Sequence, residues 1–304
     1  MALKKQKLHH HNNKHRPVLL EDTIRLLAPK PGESYLDLTA GYGGHARAVL
    51  ARTNSPKSMV LIDRDEEAID SLADLGRRGV KLIHDDFFSG ASSLNSQDYK
   101  FDIIMADLGV SSPHFDKADR GFSFSADGPL DMRMDRRQSL TAAEVVNDWP
   151  KSKLTEILAS YGQQPRARAV AEAIVSSRPI ETTAQLAEAV QTAVGTRGKR
   201  HPATKVFQAI RIAVNDELNQ IAKTLPILID LLDDGGRLAI ISFHSLEDRL
   251  VKQFFKEEAQ SGYEARLKLL TKRPIHGESD ASNPRARSAR LRAVCKIKTK
   301  EGGS

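Results

Sequence analysis

Tyr35-Leu36-Asp37-Leu38-Thr39-Ala40-Gly41-Tyr42-Gly43-Gly44-His45 reads as a strand, a carboxylate and a glycine-rich turn, followed at once by the helix-capable stretch Ala46 to Arg52. Glycine accepts positive φ and lets a ligand approach the backbone. A helix opening at such a turn offers unpaired N–H groups to an anion. About 20 residues on, Leu61-Ile62-Asp63 ends a second apolar run on an acid, placed to hydrogen-bond a ribose diol. A nicotinamide dinucleotide and S-adenosylmethionine both present an adenosine ribose to such an acid. The turn favours S-adenosylmethionine, because Ala46 stands where the dinucleotide fingerprint has its third glycine.

These two runs belong to a series. Ser58 to Ile62, Val80 to Ile83, Phe101 to Met105 and, much later, Gly236 to Ser242 are short apolar segments separated by helical stretches, the pattern of a parallel sheet with crossover helices. Each ends near a polar residue, at the edge where an open sheet binds ligands. After the third run, His84-Asp85-Asp86-Phe87-Phe88 offers an acid and a ring, from Phe87 or Phe88, to bracket an adenine.

Between Asp107 and Gly235 helical signals dominate. Thr141 with Glu144 and Thr182 with Gln185 form candidate capping boxes. Leu154, Ile157 and Leu158 recur at helical spacing, as do Val206, Ile210, Val214, Leu218 and Ile221. The expected division is a core in residues 1–112, a helical insertion for substrate recognition in 113–203, and the rest of the core in 204–304. A helix from about Thr204 to Leu232, broken before Pro226, should return the chain to the sheet.

Forty-six Lys and Arg against 39 Asp and Glu leave the 304-residue chain at +7, which favours a polyanionic partner. The excess gathers at the ends: Lys4, Lys5, Lys7, Lys14 and Arg16 at one, Arg285, Arg287, Arg290 and Arg292 at the other. Alternation along a strand would place many of the latter on a solvated face. The loop Gly195 to Pro202, with Arg197, Lys199 and Arg200, suits phosphate contact or plain connection. No apolar run approaches the roughly 20 residues of a membrane span. The single cysteine, Cys295, reads as a buried strand residue, and a cytoplasmic, reducing setting fits.

After the fourth run come Ala106-Asp107-Leu108-Gly109-Val110-Ser111-Ser112-Pro113, Arg120-Gly121-Phe122-Ser123-Phe124 and Asp127 to Asp135. In these segments the chain resembles the RsmH (MraW) family of ribosomal RNA cytosine-N4 methyltransferases. The resemblance starts at His15-Arg16-Pro17-Val18-Leu19-Leu20 and continues through Ile241 to Arg249 and Asn283 to Ser288. It implies a class I S-adenosylmethionine-dependent methyltransferase sheet, Rossmann-like, carrying an inserted helical domain. It also implies a P-site cytidine of 16S ribosomal RNA in the small subunit as acceptor. Matching its cofactor motif points to Gly43, Gly44, His45, Asp63, Phe87 and Asp107, with His114 where the family commonly has Gln.

An exocyclic cytosine nitrogen has its lone pair delocalised into the ring, so the base must be aligned with the methyl group, and acceptors for the amino hydrogens would assist. Asp107 and the Ser111-Ser112-Pro113 turn are candidate neighbours of the base, with Asp131 and Arg133 as further substrate contacts. Asp131, Arg133 and Asp135 equally fit a structural ion network. His244 fits a strand-end group facing the site or a satisfied structural histidine. No residue is assigned as a catalytic acid or base, and no metal is expected. A nicotinamide oxidoreductase, a noncatalytic RNA-binding factor and a methyltransferase for DNA or another RNA are the competing readings.

Overall fold

The computed structural model describes residues 17–110, 112–195, 201–277 and 284–297, with side chains from 114 and from 286 onward in the second and fourth of these segments. In chain order the first part comprises α1 (Leu20–Leu27), β1 (Tyr35–Asp37), α2 (Gly44–Thr53), β2 (Met59–Asp63), α3 (Glu66–Ser71) and α4 (Ala73–Arg77). It continues with β3 (Lys81–His84), α5 (Phe87–Ser96) and β4 (Phe101–Asp107). Helices follow: α6 (Ser112–Asp116), α7 (Ala142–Asp148), α8 (Lys151–Ser160), α9 (Ala167–Ser176), α10 (Thr183–Val194) and α11 (Ala203–Asn215). Then α12 (Glu217–Leu231) leads into β5 (Leu232–Ser242), and α13 (Ser245–Gln260), β6 (Leu267–Leu269), β7 (Ile275–His276) and β8 (Arg290–Lys296) close the chain's described part.

Among the described residues the strands form one sheet in the order β3-β2-β1-β4-β5-β8-β6, with β7 also on β8. Neighbours from β3 to β5 run parallel, and β8 lies antiparallel to β5. The α/β class and its parallel core are those expected from the alternation of runs.

Strand side chains alternate between two apolar clusters. Leu36, Val60, Ile62, Ile104 and Ile240 pack toward α5 and α12, while Tyr35, Met59, Leu61, Ile103 and Ile241 pack toward α1 and α2. Both faces are therefore buried, as parallel strands require, and each fully buried Leu or Ile contributes about 1.5–3 kcal/mol. The geometry has a local consequence: Asp37, Asp63 and Asp107 are the last residues of β1, β2 and β4, so three acids arrive at one edge of the sheet.

The segment between β4 and α12 builds its own apolar cluster, from Phe122 and Met132 through Val146, Leu158 and Ile174 to Val190. Thr141–Glu144 and Thr182–Gln185 form reciprocal capping boxes at the starts of α7 and α10. This cluster runs past residue 203, where the insertion is expected to end, because Val206, Phe207, Ile210 and Val214 of α11 all belong to it. The expected break before Pro226 is also displaced. Pro226 lies inside α12, whose Ile221, Leu225, Leu228 and Ile229 are buried against the sheet and outweigh the lost N–H. The break falls at Asp216, in the left-handed region with φ 49°.

Asn215 fixes that joint. Its side chain, 2% exposed, accepts from the Met134 amide (2.9 Å) and donates to the carbonyls of Met132 (2.8 Å) and Arg211 (2.9 Å). On β8 the expectation of a solvated arginine face fails for Arg292, which is buried and donates to Asp248 of α13 at 2.7 Å. Cys295 lies on the same strand, half-buried.

Candidate functional site

A cavity of about 1280 Å³ opens at the edge where the three acids end. One wall comes from the sheet and its turns, including Gly41, Asp63, Phe87 and Asp107; the other comes from the insertion, including Phe124, Gln163 and Phe207.

The glycine turn is shaped by packing. Gly43 has φ 77° and would place a Cβ 2.6 Å from Leu72 Cδ2, and a Cβ on Gly44 would come within 2.2 Å of Pro17 Cγ. Gly44 faces the cavity together with Gly41 and Tyr42, but Gly43 is not among the lining residues. Its part is to form the turn. His45 lines the cavity while its Nε2 meets the Val18 carbonyl at 3.1 Å, which ties the chain entering α1 to the start of α2.

Asp63 is held by backbone donors: Oδ2 accepts from the Gly41 amide (2.7 Å) and Oδ1 from the Asp65 amide (2.9 Å). Each oxygen keeps a free lone-pair direction for a ligand hydroxyl. Burial raises its carboxyl above the ordinary range, and the two amides only partly offset this. Next to it, Arg64 is half-buried, with its guanidinium 5.8 Å from the centre of the Phe87 ring. Phe87 lines the cavity and Phe88 does not; Phe88 packs in the core beside Lys223. Asp86 caps α5 by accepting from the Phe88 and Ser89 amides, both at 2.9 Å.

His114 lines the cavity at 5% exposure, its Nε2 2.8 Å from Asp65 Oδ2 and its ring 5.0 Å from that of Phe122. Arg120 approaches the other oxygen of Asp65 at 3.7 Å. Burial pushes the Asp65 carboxyl up, but His114 and Arg120 together bring it below the ordinary range.

Asp107 differs from Asp63. Its amide donates to Thr39 Oγ1 (2.6 Å), yet Oδ1 is buried with no hydrogen-bond partner among the described residues. Burial, then Asp37, then Glu247 raise its carboxyl well above the ordinary range. Asp37 accepts from the Tyr35 hydroxyl at 2.8 Å and is pushed up to about 6 by burial.

Other expected contacts fall elsewhere. Asp131 and Arg133 pair with each other at 2.8 Å; Arg133 also donates to the Arg136 and Gln138 carbonyls, and neither residue lines the cavity. Asp135 pairs with Arg137. Their alternative as a local ion network is what the geometry supplies. Ser111 lies outside the described residues, and Ser112 and Pro113 begin α6. Residues 1–16 and 196–200, with their basic clusters, also lie outside the described residues, whereas Arg287 and Arg290 line the cavity rim.

His244 caps α13: Nδ1 accepts from the Glu247 amide (3.4 Å) and Nε2 lies 3.1 Å from Glu247 Oε1. Ligand atoms of Glu217, His244 and Glu247 fall within 4.8 Å of one another, but Arg211 already takes both oxygens of Glu217 at 2.8 Å and supplies the cation there.

Motifs reach the insertion wall only at Phe124, in the Arg120 to Phe124 segment, and at His201, in the Gly195 to Pro202 loop. Phe124 lies beside His201 with the rings tilted by 36° (4.7 Å between ring centres) and meets Phe207 edge-on (5.0 Å). Gln163, with φ 47°, accepts from Ser245 Oγ at 3.2 Å and so joins the insertion to α13. The glutamine pair before Pro165 carries no chemistry by itself.

The family model described as "MraW methylase family" matches residues 12–297. "Ribosomal RNA small subunit methyltransferase H" of Acidobacterium capsulatum is 46% identical over 294 residues, covering 92% of this chain and 98% of the relative. The protein of the same name from Thermomicrobium roseum is 45% identical over 306 residues, covering 93% and 94%. That of Rippkaea orientalis is 45% identical over 287 residues, covering 91% of each.

Proposed function

We infer the function from one premise, that this chain belongs to the MraW methylase family. It is a methyltransferase, and its methyl donor is S-adenosylmethionine. When bound, the donor supplies a methyl group on a cationic sulfur, yields it to an acceptor lone pair and becomes the neutral thioether, with the carbon–sulfur electron pair staying on sulfur.

The residues present fit that group. Asp63, fixed by two amides, offers lone pairs to a ribose diol, and Phe87 offers one ring face to an adenine. Gly41 and Gly44 let a ligand approach the turn before α2, and His45 holds that turn against Val18. His114 positions Asp65 beneath the same wall.

The acceptor is N4 of a P-site cytidine in 16S ribosomal RNA, in the small subunit and in the cytoplasm. The observation that carries this reading is the shared cavity: an acid-lined sheet edge faces an aromatic wall of Phe124, Phe207 and His201. A base reaches such a pocket only when it is turned out of its stack, and flat rings are suited to receive it. Arg287 and Arg290 at the rim suit the flanking phosphates.

The test uses small subunits from cells lacking the gene, incubated with the protein and labelled donor, with nucleosides then identified by mass spectrometry. Label in N4-methylcytidine at one P-site position supports the reading. Label in another nucleoside, or none in RNA, sinks it.

A further inference from the structure

The two ends of the sheet wall treat their acids differently. Asp63 has a backbone donor on each oxygen, whereas Asp107 Oδ1 is buried with no hydrogen-bond partner among the described residues. The titratable groups nearest Asp107 are acids or the phenol of Tyr35. Asp37 of β1 and Glu247 of α13 both raise its carboxyl, and its charge acts in turn on the Tyr35 phenol. Glu247 is fully buried and engaged with the Phe243 and His244 amides and the His244 ring. Among the described residues no basic side chain forms an ion pair with Asp107. Ionising it therefore leaves an unpaired, solvent-shielded carboxylate oxygen beside other acids, which is costly. A cation in the cavity removes that cost.

We propose that Asp107 distinguishes the methyl donor from the spent product by charge: it gives up its proton when a cationic ligand enters and takes a proton back from the methylated amine. This rests on the methyltransferase reading above. The return step balances without a further reagent. The nitrogen that has used its lone pair to bond the methyl carbon carries a positive charge and its hydrogens. One N–H bond breaks, the pair remains on nitrogen, and the proton forms an O–H bond at Asp107 Oδ1. The site then holds a neutral acid opposite a neutral thioether, so the attraction that held the donor is gone when the product must leave.

Calorimetry on the full chain tests this without turnover. S-adenosylmethionine, S-adenosylhomocysteine and sinefungin, which carries an ammonium in place of the sulfonium, are titrated near neutral pH in buffers of different ionisation heat. The wild type should release protons on binding the two cationic ligands and release fewer with the thioether. Asp107→Asn should weaken the donor roughly tenfold and the thioether less than about threefold, collapsing the ratio between them. Parallel weakening of both ligands would mean that Asp107 holds a group common to them, and would overturn the proposal. So would sinefungin behaving like the thioether in the wild type, a comparison that needs no variant to fold. Failure of the wild type to bind any of the three would overturn the methyltransferase reading itself.

Discussion

The sheet wall and the insertion wall face one cavity and are built by opposite means. On the sheet side, acids are set by the ends of neighbouring strands, and one of them, Asp63, is held by the backbone amides of Gly41 and Asp65. On the insertion side, Phe124, Gln163, His201 and Phe207 come together from distant helices and loops, through ring contacts and side-chain hydrogen bonds. The first wall presents carboxylates and a glycine turn, and the second presents flat rings. Changes on one side should therefore leave the other side's ligand largely untouched.

The largest expected effect is on stability and concerns the sheet side alone. With its carboxyl pushed up to about 6, folded Asp37 keeps a proton that the unfolded chain loses near pH 4. Folding stability therefore falls as pH rises between those values, by about 3 kcal/mol in total. Asp37→Asn should remove its share of that slope, whatever its constant offset, and leave the shares of Asp63 and Asp107. Urea unfolding at pH 4, 5, 6 and 7 measures it, and parallel profiles for the two proteins would show that burial does not govern this acid.

Next in size, Asp63→Ala should weaken S-adenosylmethionine by about 1–3 kcal/mol, since it removes the ribose acceptor and leaves two amides unpaired. An unchanged calorimetric affinity would refute the ribose assignment. On the other wall, Phe124→Ala should raise the KM for the ribosomal substrate about tenfold, near 1.4 kcal/mol, with donor affinity within twofold of the wild type. If donor binding falls in step, the two walls do not act separately.

The smallest effect is at His114→Gln. Asp65 is held below the ordinary range in the folded protein, so it contributes stability that is present above about pH 4 and lost as pH falls through the folded value. Glutamine lacks the ring nitrogen that stands 2.8 Å from Asp65 and helps to hold its carboxyl down, so the acid limb of an unfolding profile should begin at higher pH, at a cost of about 1 kcal/mol or less. Neutral-pH activity reduced more than about tenfold would assign His114 a direct part in the reaction.

The same division explains what could be read in advance. Strands, the glycine turn and the acid after β2 follow from spacing along the chain, because period-two burial and strand-end position are local properties. Both capping boxes are local as well. The aromatic wall is not, since nothing in the neighbourhood of Phe124 announces His201 or Phe207. Arg292 looked like a solvated strand residue because Asp248 lies on another element. Proline at 226 is a breaker in isolation, but the buried face of α12 overrides it, while the break at Asp216 depends on Asn215 clasping a loop more than eighty positions earlier in the chain.

The joint at Asn215 and Asp216 also bears on how the chain assembles. Parallel strands β4 and β5 are neighbours in the sheet, yet everything from α6 to α12 lies between them. Closing a floppy loop of roughly 120 residues instead of about 15 adds about 2 kcal/mol of entropy, at about 0.6 kcal/mol per doubling. An insertion that condenses on its own apolar cluster first, with Asn215 pinning its last helix to residues 132–134, brings its two ends together before the strands meet. The excursion then costs the sheet little more than an ordinary crossover, and a large helical insertion can be carried in the middle of an α/β core without slowing the pairing on which that core depends.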